Sequence, residues 1–134
     1  MTDTTIIAPT SASIWTGRVL SALVVVLLLA DGAMQSFAPN MLRAEMESSG
    51  FPMNLSQILG VITLTCVILY AIPRTAVLGA ILVTAFLGGA ICTHFRLGEI
   101  GSPPQLVCLL LGILTWGGLY LRDPRVRALL PFVS

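Results

Sequence analysis

The chain carries its apolar residues in four long blocks, separated by short polar or turn-forming segments. The first block runs from about Ile14 to Phe37 around the unbroken core Val19–Ala30, and the second from Leu55 to Ile72. The third runs from Thr75 to Leu97 and the fourth from Pro104 to Leu121. A helix needs roughly 20 residues to cross about 30 Å of hydrocarbon, and each block is close to that. The blocks are continuously apolar and lack the alternation of a barrel strand, so the spans are helices. The pattern predicts an all-α fold, an antiparallel four-helix transmembrane bundle over residues 14–131. Residues 1–13 are Thr/Ser-rich and read as a flexible tail.

The links refine this picture. Between the first two blocks, Asn40 is placed to cap a short helix, Met41–Ser49, which Gly50 ends and Pro52 prevents from restarting. Met41, Leu42 and Met46 share one side of it, with Arg43, Glu45 and Glu47 around the rest, the pattern of an interfacial helix lying on the bilayer. Asn54 followed by Gln57 resembles a capping box opening the second span. The link Ile72-Pro73-Arg74-Thr75 is tight, which makes the second and third helices antiparallel neighbours. Residues 98–104 are rich in Gly and Pro and read as a turn, and Asp123-Pro124 is a helix start. A short basic helical turn is expected after it, with Arg125 and Arg127.

The first block has some features of a cleaved leader, namely Arg18, an apolar run and the small-x-small triplet Ser36-Phe37-Ala38. Pro39 after the triplet, Asp31 inside the block and the polar tail before it argue for a retained span.

Composition agrees with a bilayer setting. Of 134 residues 56% are hydrophobic and only 10% charged, against about 25% charged in soluble domains. A soluble globular enzyme is excluded. Seven arginines without lysine and six acids give a net charge of +1, which excludes a nucleic-acid-binding domain with its clustered basic footprint. With four spans, Arg18, Arg74, Arg122, Arg125 and Arg127 share one side and only Arg43 and Arg96 the other. The positive-inside rule then puts both termini in the cytoplasm of an inner-membrane protein.

That topology brings candidate chemistry together. Asp31 lies 13 positions past Arg18, roughly 20 Å along an outward-running helix. The third helix also runs outward and ends at His94 and Arg96, with Glu99 close behind. Asp31, Gln35, His94, Arg96 and Glu99 therefore converge on one leaflet, and Asp31 and Gln35 share a helix face. An ionisable group at that depth needs a partner, and His94 or Arg96 is the natural one. Three readings follow: polar glue between the first and third helices, a proton-handling or ligand-binding site, or His94 and Arg96 reaching up to the headgroups.

Cys66, Cys92 and Cys108 each sit in a different span, with no Cys-x-x-Cys and no metal-ligand spacing, so no metal is expected. Packing suits them better than thiol chemistry. Ala76, Ala80, Thr84 and Gly88, continued by Cys92, put small residues at every fourth position of the third helix, a packing stripe that Gly112, Gly117 and Gly118 are positioned to receive. Trp15, Tyr70, Trp116 and Tyr120 lie near helix ends as an aromatic belt requires. Trp116 and Tyr120 offer the alternative of stacking a flat ring such as a quinone.

Several stretches resemble the DoxX-like family of small four-helix membrane proteins. They are Asp31-Gly32, Leu69-Tyr70-Ala71-Ile72-Pro73-Arg74-Thr75, Gly88-Gly89-Ala90 with Thr93-His94-Phe95-Arg96, and the ending Trp116-Gly117-Gly118-Leu119-Tyr120-Leu121-Arg122-Asp123-Pro124. The resemblance covers roughly residues 15–131. It implies a redox-associated inner-membrane protein, with a quinone-facing accessory subunit as the model, but no catalytic residue set. Relatives often carry lysine where this chain has Gln35, which shifts the search for a partner of Asp31 to Arg96 or His94.

The leading expectation is therefore a membrane protein without independent catalytic activity. It would be an accessory or quinone-interacting subunit of a redox system, with the lipid bilayer and a membrane redox partner or a second copy as neighbours. The rivals are an interaction protein that docks a larger membrane partner and a small transporter. The transporter lacks a polar path, since the inner halves offer only hydroxyls such as Ser21, Thr63 and Thr84, and no span is broken at the midplane.

Overall fold

Thr10 starts the first helix earlier than the apolar pattern places it. Its backbone is extended and its hydroxyl accepts from the Ser13 amide at 3.3 Å, so α1 runs Ser11–Phe37. Residues 11–13 thus belong to the helix and not to a tail. The computed structural model describes residues 9–130. The rest of the expected tail, residues 1–8, and the boundary at Pro131 lie outside the described residues.

After α1 a 3-10 turn, Pro39–Leu42, leads into α2, Arg43–Ser49. Asn40 makes no capping bond; it sits inside the turn and its Oδ1 accepts from Arg43 at 3.5 Å. Gly50 ends α2 as expected, with φ +75° and the Phe51 amide bonded back to Met46 O at 3.0 Å. The capping box does not form. Leu55 N bonds to Pro52 O at 3.0 Å and closes a 3-10 turn over Met53–Leu55. That turn absorbs Asn54, so α3, Ser56–Ala71, starts beyond its reach. Helix α4 runs Ala76–Arg96, α5 runs Pro103–Arg122, and α6 is the short Pro124–Leu129. Asp123 caps α6, accepting from the Arg125 amide at 2.9 Å.

Four helical segments are long and apolar enough to cross a membrane: α1, α3 together with its leading 3-10 turn (Met53–Ala71), α4 and α5. They stand at the corners of a square in which α1 packs on α3 and α5, and α4 on the same two. Helices α1 and α4 are therefore diagonal. The pairing is antiparallel: Ser21, early in α1, meets Tyr70, late in α3, and lies against Gly118, late in α5. We call this the proximal end and the opposite one the distal end.

The proximal end is tightly knit around Tyr70, which is fully buried instead of belonging to an aromatic belt. Its hydroxyl donates to Thr115 O at 2.8 Å and lies 3.0 Å from Ser21 Oγ. Arg122 donates to Tyr70 O at 3.2 Å and stacks its guanidinium 5.1 Å from the ring centroid. Glycines admit the backbones. A Cβ on Gly17 would fall 2.8 Å from Arg122 N and Gly118 O, and one on Gly79 would overlap the Tyr70 backbone. The core continues through Val24, Val67, Val83 and Leu87. Around it Val19, Val26, Val61, Ile81 and Ile113 are exposed, as a lipid-facing band requires. Membrane-depth hydroxyls turn back on their own helices, Thr63 to Leu59 O, Thr84 to Ala80 O and Thr115 to Leu111 O.

Candidate functional site

At the distal end the helices leave a cavity of about 340 Å3 between α1 and α4, floored by Leu59 of α3 and overhung by α2. Its walls are largely apolar, with Leu42, Met46, Phe51 and Phe86 among them, and its polar groups are few. Such mostly apolar concavities with a few placed polar groups are the usual form of small-molecule sites.

Asp31 reaches the cavity because Gly32 does not. Gly32 is buried against α3, where a Cβ would fall 2.9 Å from Leu64 Cγ, and a complementary approach occurs at Gly60. The neighbouring position is turned by about 100°, so Asp31 faces the open corner. Gln35, one turn on, donates from Nε2 to Asp31 Oδ2 at 2.6 Å. The Gln35 carbonyl in turn accepts from Ser56 Oγ at 2.9 Å, which fixes this stretch of α1 to the start of α3.

His94 comes from the last turn of α4. Gly98, with φ +75°, reverses the chain there: its amide bonds to Phe95 O and that of Glu99 to His94 O, both at 3.0 Å. The same reversal returns the Glu99 side chain to its own helix, where Oε2 lies 2.7 Å from His94 Nδ1. His94 lines the cavity while Glu99 stands at its rim, half exposed. Arg96 turns away from the cavity and donates to Ser49 O at 3.0 Å, fastening the end of α2 to the end of α4.

The five polar residues thus gather at one end of the bundle, but as separate pairs. The partner of Asp31 is Gln35, not His94 or Arg96. The reason is the diagonal placement of α1 and α4, which sets the cavity between them, whereas Gln35 lies one helical turn away. A direct lock between the first and third spans is therefore not what this cluster forms. Glu45, from α2, joins the cavity lining and was not singled out in the sequence; only the fold of α2 over the distal end brings it there.

Trp116 and Tyr120 lie elsewhere. Trp116 Nε1 donates to Thr84 Oγ1 at 2.8 Å, at one end of a shallow groove of about 390 Å3 between α4 and α5. Tyr120 packs against the core one turn further along α5, its carbonyl accepting from Arg127 at 2.8 Å. The small-residue stripe divides: Ala76 and Ala80 are buried, whereas Thr84 and Gly88 face the groove, where a Cβ on Gly88 would meet nothing within 4 Å. Gly118 receives α1 instead of this stripe, and Gly117 has open space. The close contact of α4 is made by Gly79, a position the four-residue spacing skips. The three cysteines are free, Cys66 buried, Cys108 half-buried in the groove and Cys92 exposed.

The model of the DoxX-like family matches the chain over residues 19–118. The chain belongs to the DoxX-like family. The matched stretch reaches into all four spans and includes Asp31, Gln35 and His94, so the cavity is a feature of the DoxX-like part of the chain. No curated protein and no solved structure matches.

Proposed function

We propose that this integral membrane protein binds a quinone headgroup in the distal cavity and serves as an accessory subunit of a membrane redox system. The observation that carries the reading is the cavity itself: apolar walls around the Asp31–Gln35 pair on one side and His94 on the other. Its size suits one ring, with an isoprenoid tail leaving between helices into lipid. Glu99, half exposed at the rim, contacts His94 and connects the imidazole to the solvent side of the cavity. Five arginines at the proximal end support a cytoplasmic position for it, with the cavity in the outer leaflet of the inner membrane and α2 lying along the interface.

The test is extraction. Wild type and Asp31→Asn are purified from native membranes in mild detergent and assayed for co-purifying quinone, oxidised and reduced forms together. Stoichiometric quinone in wild type, reduced in the variant, is the expected result. Its absence from both would end the quinone reading.

A second reading has its own observation, the open groove between α4 and α5 around Gly88 and Gly112. In that reading the groove seats a helix of a larger partner or of a second copy. Gly88→Leu would then fill the groove and lower the assembled fraction on native gels, while Asp31→Asn would leave it unchanged.

A further inference from the structure

We propose that the distal cavity selects the reduced, dihydroxy form of its ligand, a hydroquinone, over the oxidised quinone. This rests on the quinone-binding reading and adds which redox form the site holds. The argument is the direction of the hydrogen bonds around the cavity.

The hydroxyl protons of the lining are already committed. Thr93 donates to Gly89 O at 3.0 Å, Ser48 to Glu45 O at 2.9 Å, and Ser49 to Met46 O at 3.0 Å. One N–H of the Gln35 amide is held by Asp31. Arg96 spends a donor on Ser49 O and is not part of the lining. His94 follows from its neighbour: an ionised carboxylate only accepts, so with Glu99 Oε2 at 2.7 Å the ring proton sits on Nδ1. In the neutral imidazole, Nε2 then carries the lone pair.

What remains in the lining is rich in acceptors: the second oxygen of the Asp31 carboxylate, the Glu45 carboxylate and His94 Nε2. One N–H of Gln35 is the uncommitted side-chain donor among them. A quinone carries two carbonyl acceptors and no donor, so most of its encounters here set acceptor against acceptor. A hydroquinone brings two O–H groups to the same places. Apolar walls sharpen the difference, because an unmet polar group away from water costs more than a met one gains.

The experiment measures binding of a short-chain benzoquinone, its hydroquinone and the hydroquinone dimethyl ether to the purified protein in nanodiscs under anaerobic conditions. The expected result is a hydroquinone Kd lower than the quinone Kd by roughly tenfold or more, with the donorless ether as weak as the quinone. Asp31→Asn, which exchanges an acceptor oxygen for an amide donor, narrows the ratio. So does His94→Leu, a change in the cavity lining outside the hydrophobic core of the bundle. Equal or tighter binding of the quinone by wild type overturns the selectivity while leaving quinone binding intact. An unchanged ratio in both variants overturns it as well. No binding of any of the three removes the quinone reading along with it.

Discussion

The Tyr70 hydroxyl donates to the backbone oxygen of Thr115 at 2.8 Å, across the interface between two spans that face each other diagonally. Thr115 O belongs to a helix ladder, so the bond uses a lone pair the ladder leaves over. Ser21 closes the group from α1. Tyr70 thereby joins α3 to α1 and α5 at the proximal end, where no water reaches it. Tyr70→Phe keeps the ring and removes both hydroxyl contacts. It should lower stability by about 1–2 kcal/mol, read as a reduced thermal midpoint in detergent, with quinone content per folded protein unchanged.

The glycines divide by what lies above them. Gly17 faces the α5 backbone, so Gly17→Ala should force α1 and α5 apart and destabilise by roughly 1–3 kcal/mol. Gly117 has nothing within 4 Å of its added Cβ. Gly117→Ala should be neutral or stabilise by up to about 1 kcal/mol through helix propensity. Equal midpoints for the two variants would contradict the packing described for α1 and α5.

Acid should loosen α6. Partial burial works to raise the Asp123 pKa, but the hydrogen bonds and charge of Arg125, with Arg122 nearby, outweigh it and hold the carboxyl below its ordinary value of 3.8. A depressed folded-state pKa means the contribution is complete above about pH 4 and is lost as pH falls through the lower, folded-state value. Hydrogen exchange over residues 124–129 should accelerate in that acid range, and Asp123→Ala should abolish the dependence while costing about 1 kcal/mol of capping. A flat pH profile in wild type would remove Asp123 as the cause.

Arg96 is the tie between α4 and α2. Its bond is at the surface, so Arg96→Ala should cost no more than about 1 kcal/mol globally. Locally, the amides of residues 43–50 should exchange several-fold faster, and protease cleavage near Gly50 should increase. Unchanged protection of α2 would mean that Met46 in its buried seat suffices to hold it.

The four spans were legible because bilayer thickness dictates their length, and so were the stops at Gly50 and the start at Asp123-Pro124, since these are local chemistry. Asn54 was misread because a capping box competes with a 3-10 turn closed by Pro52 O, and the two share a sequence. Neighbour relations were hidden for a different reason. Helices that are apolar all round carry no stripe pointing to their partners, so Tyr70 looked like a belt residue, and the diagonal that separates Asp31 from His94 was invisible. Gathering Asp31, Gln35, His94, Arg96 and Glu99 at one end needed only topology. Pairing them needed the packing.

Helix α4 is anchored unevenly, and its anchorage has a mechanical consequence. Its base is clamped where Gly79 meets Tyr70 and Ala76 and Ala80 are buried. Further along, Gly88 and Gly89 touch no neighbour, and the tip is held by a 3.4 Å bond from Gln105 to Ile91 O and by the Arg96 tie. Helix α4 spans 21 residues, about 30 Å, so base and tip are held by different means. The wide mouth of the chamber at His94 is therefore set by the two tip bonds, and the close joint at Gly79 by backbone contact.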